Sequence, residues 1–257
     1  TAGPTLETIM AAHGSGAVTK SREEGLTLLN IDLGGGTTKV SLIEKGRIQA
    51  TTALNIGARL VAYDGSGRLT RVEKAGRRFL EDLGSRLGIG DRIEGEVFSR
   101  LAERMARLLY DALGGARPPW DGLFLTPPMG KLPVVDGLLF SGGVAEYIYD
   151  REKRVFGDLG PYLGREVRCE AEKRGFRLFD AAEGIRATVI GASQHTVQLS
   201  GETIFLPDGV RLPIRNLRVF GVRVSWEPPV AEKTANAIHA TLKGLDPEVR
   251  GAPFVLL

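Results

Sequence analysis

Leu26–Leu42 reads LTLLNIDLGGGTTKVSL, and its interpretation decides the fold. Leu26, Leu28, Leu29 and Ile31 form an apolar run that stops at Asp32. Gly34, Gly35 and Gly36 follow, then Thr37 and Thr38, after which Val40 and Leu42 resume an alternating pattern. Such a pattern predicts a β-hairpin whose turn carries a carboxylate, hydroxyls and exposed backbone amides. Glycine allows positive φ and a close approach of backbone to a ligand. Successive free N–H groups in a turn form a concave anion site. A carboxylate at the same turn suits Mg²⁺, which takes oxygen ligands and keeps waters while bridging to phosphates. The turn therefore reads as a nucleotide-phosphate loop. The plainer alternative is a glycine-rich turn without a ligand, since Gly and Asp are common turn residues.

Composition limits the function classes. The 257 residues allow one large domain or two small ones, with 42% hydrophobic and 25% charged residues, as in globular proteins. The formal net charge is +3, with no long block of one sign, so nucleic acid is not an expected partner. Cys169 is the single cysteine, which excludes an intrachain disulfide and a multi-cysteine metal site. No apolar run is long enough to span a bilayer, and no signal peptide is recognised. The chain starts at Thr1, without methionine, inside what reads as an ordered element, and reads as a portion of something longer.

Around the hairpin, helices are expected at Thr5–Ala12 (with Thr5 as N-cap), Ala75–Leu83, Glu94–Leu113, Val144–Tyr149, Leu159–Glu170, Ile185–Gln198 and Val230–Leu242. Strands are expected at Arg47–Leu54, Ala58–Ala62, Leu69–Val72, Gly137–Phe140, Thr203–Leu206 and Leu217–Val224. Hairpins early and strand–helix units later predict an α/β chain with a mixed β-sheet flanked by helices.

A second informative stretch is Leu138–Tyr149, LLFSGGVAEYIY. A buried strand ending in Gly142-Gly143 and leading into a helix brings free amides and a helix N-terminus to one point. Alone, this is as well read as a plain strand-to-helix turn. Together, a D-x-G-x-G-T hairpin and an apolar-strand–GG–helix unit about a hundred residues later resemble the ATPase superfamily of actin, Hsp70 and the sugar kinases. The resemblance implies an actin-like (ribonuclease H-like) lobe, with Asp32–Thr38 as its second phosphate loop and Ser141–Glu146 as its adenosine loop. Pro4–Ala17 would be the connecting helix and Ile185–Ser200 the closing helix, with Ala187, Gly191, Ala192 and Ser193 at the interdomain hinge.

Within that superfamily, TAGPTLETIMAAHGSGA, LNIDLGGGTTKVSL, LNIGARLV, FSGGVAEYIY, IRATVIGASQHTVQLSG and LPIRNLRV resemble the ethanolamine ammonia-lyase reactivating factor family. The likeness runs from Thr1 to about Val224. It implies residues 1–224 as the second nucleotide-binding lobe, with a helical insertion at about 75–130, and 225–257 as a C-terminal extension. It also implies ATP-dependent, chaperone-like release of damaged cobalamin from ethanolamine ammonia-lyase, in the cytoplasm or with a bacterial microcompartment. ATP and Mg²⁺ are the implied cofactors, with no cobalamin held tightly on this chain. Asp32 would sit by Mg²⁺ through water as the catalytic carboxylate. Gly34, Gly35, Gly36, Thr37 and Thr38 would hold the β- and γ-phosphates, and Gly142 and Gly143 would face the nucleoside.

Two departures bear on hydrolysis. The position before the proline of the connecting helix is Gly3, where Hsp70-like chaperones carry glutamate, and no D-x-G-T first phosphate loop is present. ATPase activity is thus expected of the full-length protein, and little of this chain alone.

Three other readings stay open. A sugar or small-molecule kinase of the same fold would need a catalytic aspartate and a sugar pocket in the first lobe. An actin-like filament protein would assemble with nucleotide, and self-association is left open. A diol or glycerol dehydratase reactivase would act on a related target. His13, His195 and His239 are too dispersed for a metal site or triad, and neither G-x-G-x-x-G nor a P-loop occurs. Cys169 reads as a passive thiol, and Arg100–Arg107 as the solvated side of a helix.

Overall fold

The computed structural model describes residues 3–116, 118–181, 218–220, 222, 230–244 and 254–256. The chain divides into two compact units, Thr1–His195 and Thr196–Leu257.

The first unit is built on strands β1 (Thr27–Leu33), β2 (Thr38–Glu44) and β3 (Arg47–Leu54). They form consecutive hairpins, as the alternation predicts. Lys45 and Gly46 join β2 to β3 with φ of 47° and 78°, the left-handed pair that a tight hairpin needs to match strand twist. Leaving β3, the chain makes the 3₁₀ turn Ala58–Leu60, strands β4 (Val61–Tyr63) and β5 (Leu69–Val72), and helices α3 (Lys74–Asp82) and α4 (Gly95–Leu113). It returns as β6 (Gly137–Ser141), parallel to β1, and later as β7 (Leu178–Phe179), parallel to β6. The sheet order is β3-β2-β1-β6-β7. This mixed sheet is the α/β arrangement that early hairpins and later strand–helix units predict.

Both sheet faces are covered, which explains the near-continuous apolar run before Asp32. Leu29, Ile31, Leu33, Val40, Leu42, Leu138 and Phe140 point into the larger core with α4 and α6 (Gly160–Lys173). On the opposite face Leu28, Ile43, Leu139 and Phe179 pack on Ala12, Ala17 and Val18, from helices α1 (Pro4–Gly14) and α2 (Ala17–Glu24). Along α4, Leu101, Met105, Leu108 and Leu109 are buried as their helical spacing predicts. Each such side chain contributes roughly 1.5–3 kcal/mol. Tyr110 of α4 donates to the Val167 carbonyl of α6 at 3.0 Å.

Several expectations need correction. Helix α1 starts at Pro4 with Gly3 as N-cap, so Thr5 is not the cap; proline fits the first helical position, where its missing N–H costs nothing. Ala58–Ala62 is not one strand, because the Ala58 and Arg59 amides bond the Gly34 and Gly35 carbonyls instead of a ladder. The helix expected at Val144–Tyr149 is the single turn α5 (Ala145–Ile148). Helix α2 and the short β7 were not anticipated. The expected helix Ile185–Gln198 and strand Thr203–Leu206 lie outside the described residues.

Tyr149 ties β6 to β7. Its hydroxyl accepts the Phe140 N–H at 2.8 Å and donates to the Phe179 carbonyl at 2.6 Å. Tyr149→Phe is expected to destabilise by about 1–3 kcal/mol, because both backbone groups lose a partner. Burial, opposed by the Phe140 bond, pushes the phenol up from 10.0 to about 12. A raised phenol pKa stabilises the fold below its unfolded value and is lost as pH climbs through the folded value. The gap between wild type and Tyr149→Phe in urea melts should therefore shrink between about pH 10 and about pH 12.

In the second unit, β8 (Arg218–Phe220) pairs in parallel with β9 (Phe254–Leu256), and helix α7 spans Val230–Gly244.

Candidate functional site

The hairpin tip is held from two sides. Within the turn, the Gly34 N–H donates to the Thr37 carbonyl at 3.0 Å. From outside, the segment after β3 crosses beneath it. The Ala58 N–H reaches the Gly34 carbonyl at 3.1 Å and the Arg59 N–H reaches the Gly35 carbonyl at 2.5 Å. This crossing depends on Gly57, where a Cβ would lie 2.5 Å from the Gly35 oxygen and 2.6 Å from the Gly36 carbonyl carbon.

Held this way, the tip leaves the N–H groups of Gly35, Gly36 and Thr37 without an acceptor among the described residues. The same residues edge an open cavity of about 720 Å³, whose other walls include Arg59, Lys74, Arg78 and Trp120. Arg59 is fixed at the rim by Asp158 at 3.2 Å, and Asp158 also accepts the Gly160 N–H at 2.9 Å. Burial, and then the Asp158 carboxylate, raise the Tyr147 phenol pKa. Free amides next to guanidinium and ammonium groups form an anion-receptive surface.

Thr37 lines this cavity, whereas Thr38 is buried and donates its hydroxyl to the Ile56 carbonyl at 2.8 Å. The sequence reading assigned both hydroxyls to phosphate. In this geometry the Thr38 proton is committed to securing the tip, and Thr37 carries the available hydroxyl.

Asp32 lies one residue before the end of β1 and is 4% exposed. Strand register sets its neighbours: Lys39 of β2 opposes it on one side, and Ser141 of β6 on the other. The Ser141 hydroxyl donates to Asp32 Oδ1 at 3.0 Å across 109 residues of sequence. Lys39 Nζ stands 3.9 Å from Asp32 Oδ2 and 3.2 Å from Glu7 Oε2, Glu7 reaching in from the first turn of α1. Lys39 and Glu7 were not picked out from the sequence. Register could have found Lys39, because a tip of Gly34–Thr37 places Asp32 and Lys39 opposite each other on one face.

Gly142 brings the second glycine segment to the first. Its φ is +86°, and a Cβ there would lie 2.5 Å from the Leu33 oxygen and 3.0 Å from Asp32 Oδ1. The Val144 N–H then donates to the Leu33 carbonyl at 3.1 Å. Gly143 follows, partly exposed, at the start of the turn into α5. The stretches read separately from sequence, Asp32–Thr38 and Gly142–Gly143, thus meet at the end of β1.

Mg²⁺ suits these donors in a limited way. Among the described residues no group of three or more His, Cys, Asp or Glu could hold a metal ion. Asp32 offers a single carboxylate, with Ser141 on one oxygen and an ammonium near the other. That matches an ion held largely by water and by a ligand's own oxygens, not by a protein cage. Of the other candidates, Cys169 is a free thiol of intermediate exposure on α6, His13 and His239 lie in different units, and His195 is outside the described residues. No helix among the described residues is long and apolar enough to cross a membrane.

The family model for the ethanolamine utilisation protein EutA matches residues 1–256. The chain belongs to the EutA family. The ethanolamine ammonia-lyase reactivase EutA of Escherichia coli (strain K12) is 35% identical over 223 residues, which is 85% of this chain and 47% of that protein. Its Salmonella typhimurium counterpart is 34% identical over the same shares. The chain therefore spans about half the length of the curated EutA relatives it matches. Among solved structures, the activator of the 2-hydroxyisocaproyl-CoA dehydratase from Clostridium difficile with bound ADPNP aligns at 15% identity and TM-score 0.36, over 72% of this chain and 63% of that one. MreB5 of Spiroplasma citri bound to AMPPNP aligns at 16% identity and TM-score 0.37, over 72% and 56%.

Proposed function

We propose that this chain is a nucleotide-holding lobe of an ATP-dependent reactivase that acts on ethanolamine ammonia-lyase. The observation that carries the reading is the close approach of Gly142 to Leu33 and Asp32 at the end of β1, next to a glycine tip whose Gly35–Thr37 amides have no acceptor among the described residues, in a member of the EutA family.

In this reading residues 1–224 form the lobe and 225–257 an extension, with the remainder of the full-length protein closing over the nucleotide. The amides of Gly35, Gly36 and Thr37 and the Thr37 hydroxyl hold the β- and γ-phosphates. Gly34 and Thr38 keep the tip in shape. Gly142 and Gly143 face the nucleoside with main chain, and the missing Cβ of Gly142 lets that turn close on Leu33 and Asp32. Asp32 holds Mg²⁺ through water, and the ion would offset phosphate charge. Hydrolysis would proceed by positioning and electrostatic stabilisation, without a covalent intermediate. ATP and ADP would favour different lobe arrangements with different affinities for the lyase. That switch would release damaged cobalamin so that adenosylcobalamin can bind, in the cytoplasm or in association with a bacterial microcompartment.

A reconstitution tests this. Lyase inactivated with cyanocobalamin is mixed with the full-length protein, Mg–ATP and free adenosylcobalamin, and ethanolamine turnover is followed. Activity should return only when protein and ATP are both present. Failure to recover, with the protein shown to be folded and fresh lyase shown to be competent, overturns the assignment.

A further inference from the structure

Lys39 is held between two carboxylates. Its side chain is 15% exposed, with Glu7 at 3.2 Å and Asp32 at 3.9 Å. Strand register places its Cα directly opposite that of Asp32, so the ammonium starts from the carboxylate's own side of the sheet. A divalent ion bound to Asp32, even through one water, would stand roughly 4–6 Å from this ammonium. At the effective dielectric of about 20 suited to partly buried pairs, that repulsion alone amounts to about 10⁴- to 10⁶-fold in a binding constant before the side chains relax. Leaning toward Glu7 relieves part of it.

We propose that Lys39 is a resident counter-cation that keeps Asp32 from taking up a divalent metal ion by itself, so that metal enters this face only as the chelate of a polyanionic ligand. Phosphate oxygens would cancel the repulsion and give the ammonium a further partner. Metal and anion would then each strengthen the other's binding, as linkage requires. The identity of the polyanion, a nucleotide, rests on the function proposed above; the action of Lys39 on bare metal does not.

The test uses Mn²⁺ alone and the full-length protein, reading free Mn²⁺ by its electron paramagnetic resonance signal. Wild type and Lys39→Arg, which keeps the charge, should bind weakly. Lys39→Met and Lys39→Gln should each bind Mn²⁺ at least about tenfold more tightly, a conservative share of the Coulomb figure. The gain should vanish in Lys39→Met combined with Asp32→Asn. Melting curves report folding, and Lys39→Gln, which can still hydrogen-bond Glu7, covers the case in which the methionine variant fails to fold. If the neutral variants bind Mn²⁺ no more tightly than wild type, or if the gain survives loss of Asp32, Lys39 is only a structural ion-pair partner and the proposal is wrong. Mn²⁺ binding by wild type with added ADP is measured separately. A missing ADP effect counts against the nucleotide reading, while the contrast among the Lys39 variants stands or falls independently.

Discussion

Asp32→Ala in the full-length protein should lower Mg-dependent ATP binding or turnover by at least about 100-fold, equivalent to about 2.8 kcal/mol. Asp32 is the one carboxylate that strand register places beside both Ser141 and the glycine tip. Removing it leaves the Lys39 ammonium with Glu7, 3.2 Å away, so the fold should survive and the loss should fall on the ligand. Calorimetric titration with Mg–ATP, together with a melting curve, separates the two effects. Unchanged affinity in a folded variant would mean that the hairpin is only a turn.

The second large effect is expected at Gly142. Its φ of +86° and the 2.5 Å separation between an added Cβ and the Leu33 oxygen leave no room for a side chain. Left-handed backbone costs about 1–2 kcal/mol for a residue with a Cβ, and overpacking adds about 1–3 kcal/mol. Gly142→Ala should therefore destabilise by about 2–5 kcal/mol and weaken nucleotide binding, because the turn must move away from Asp32 to relieve the clash. Gly36 is the control. A Cβ there meets nothing within 4 Å, so Gly36→Ala should change stability by less than about 1 kcal/mol. Equal urea midpoints for the two variants would show that Gly142 is not the close contact proposed.

Much of the lobe was legible because its elements carry local signals. Strands β1 to β3 show in their alternation and in the glycine tip, β3 matching the expected Arg47–Leu54, and α4 shows in its apolar spacing. What was missed lacks such signals. The α2 stretch AVTKSREE has little apolar face. Only two residues of β7 pair with β6, too short a run to stand out. The 3₁₀ turn at Ala58–Leu60 looks extended in sequence, but its amides are drawn to the hairpin tip, a partner that local reading does not see.

The site divides along the same line. The residue types were legible: a carboxylate, glycines and hydroxyls in one turn, and a second glycine pair after an apolar strand. By itself the sequence determined the hairpins, the α/β class and the two glycine stretches, because turn chemistry and side-chain periodicity act over a few residues. Only the tertiary structure decided that Ser141 grips Asp32, that Glu7 and Lys39 stand on Asp32's other side, and that Thr38 turns inward to Ile56. Those facts depend on the parallel pairing of β6 with β1 and on α1 lying over that sheet face. Both are long-range contacts, set by burying two faces of one sheet and not by any local pattern.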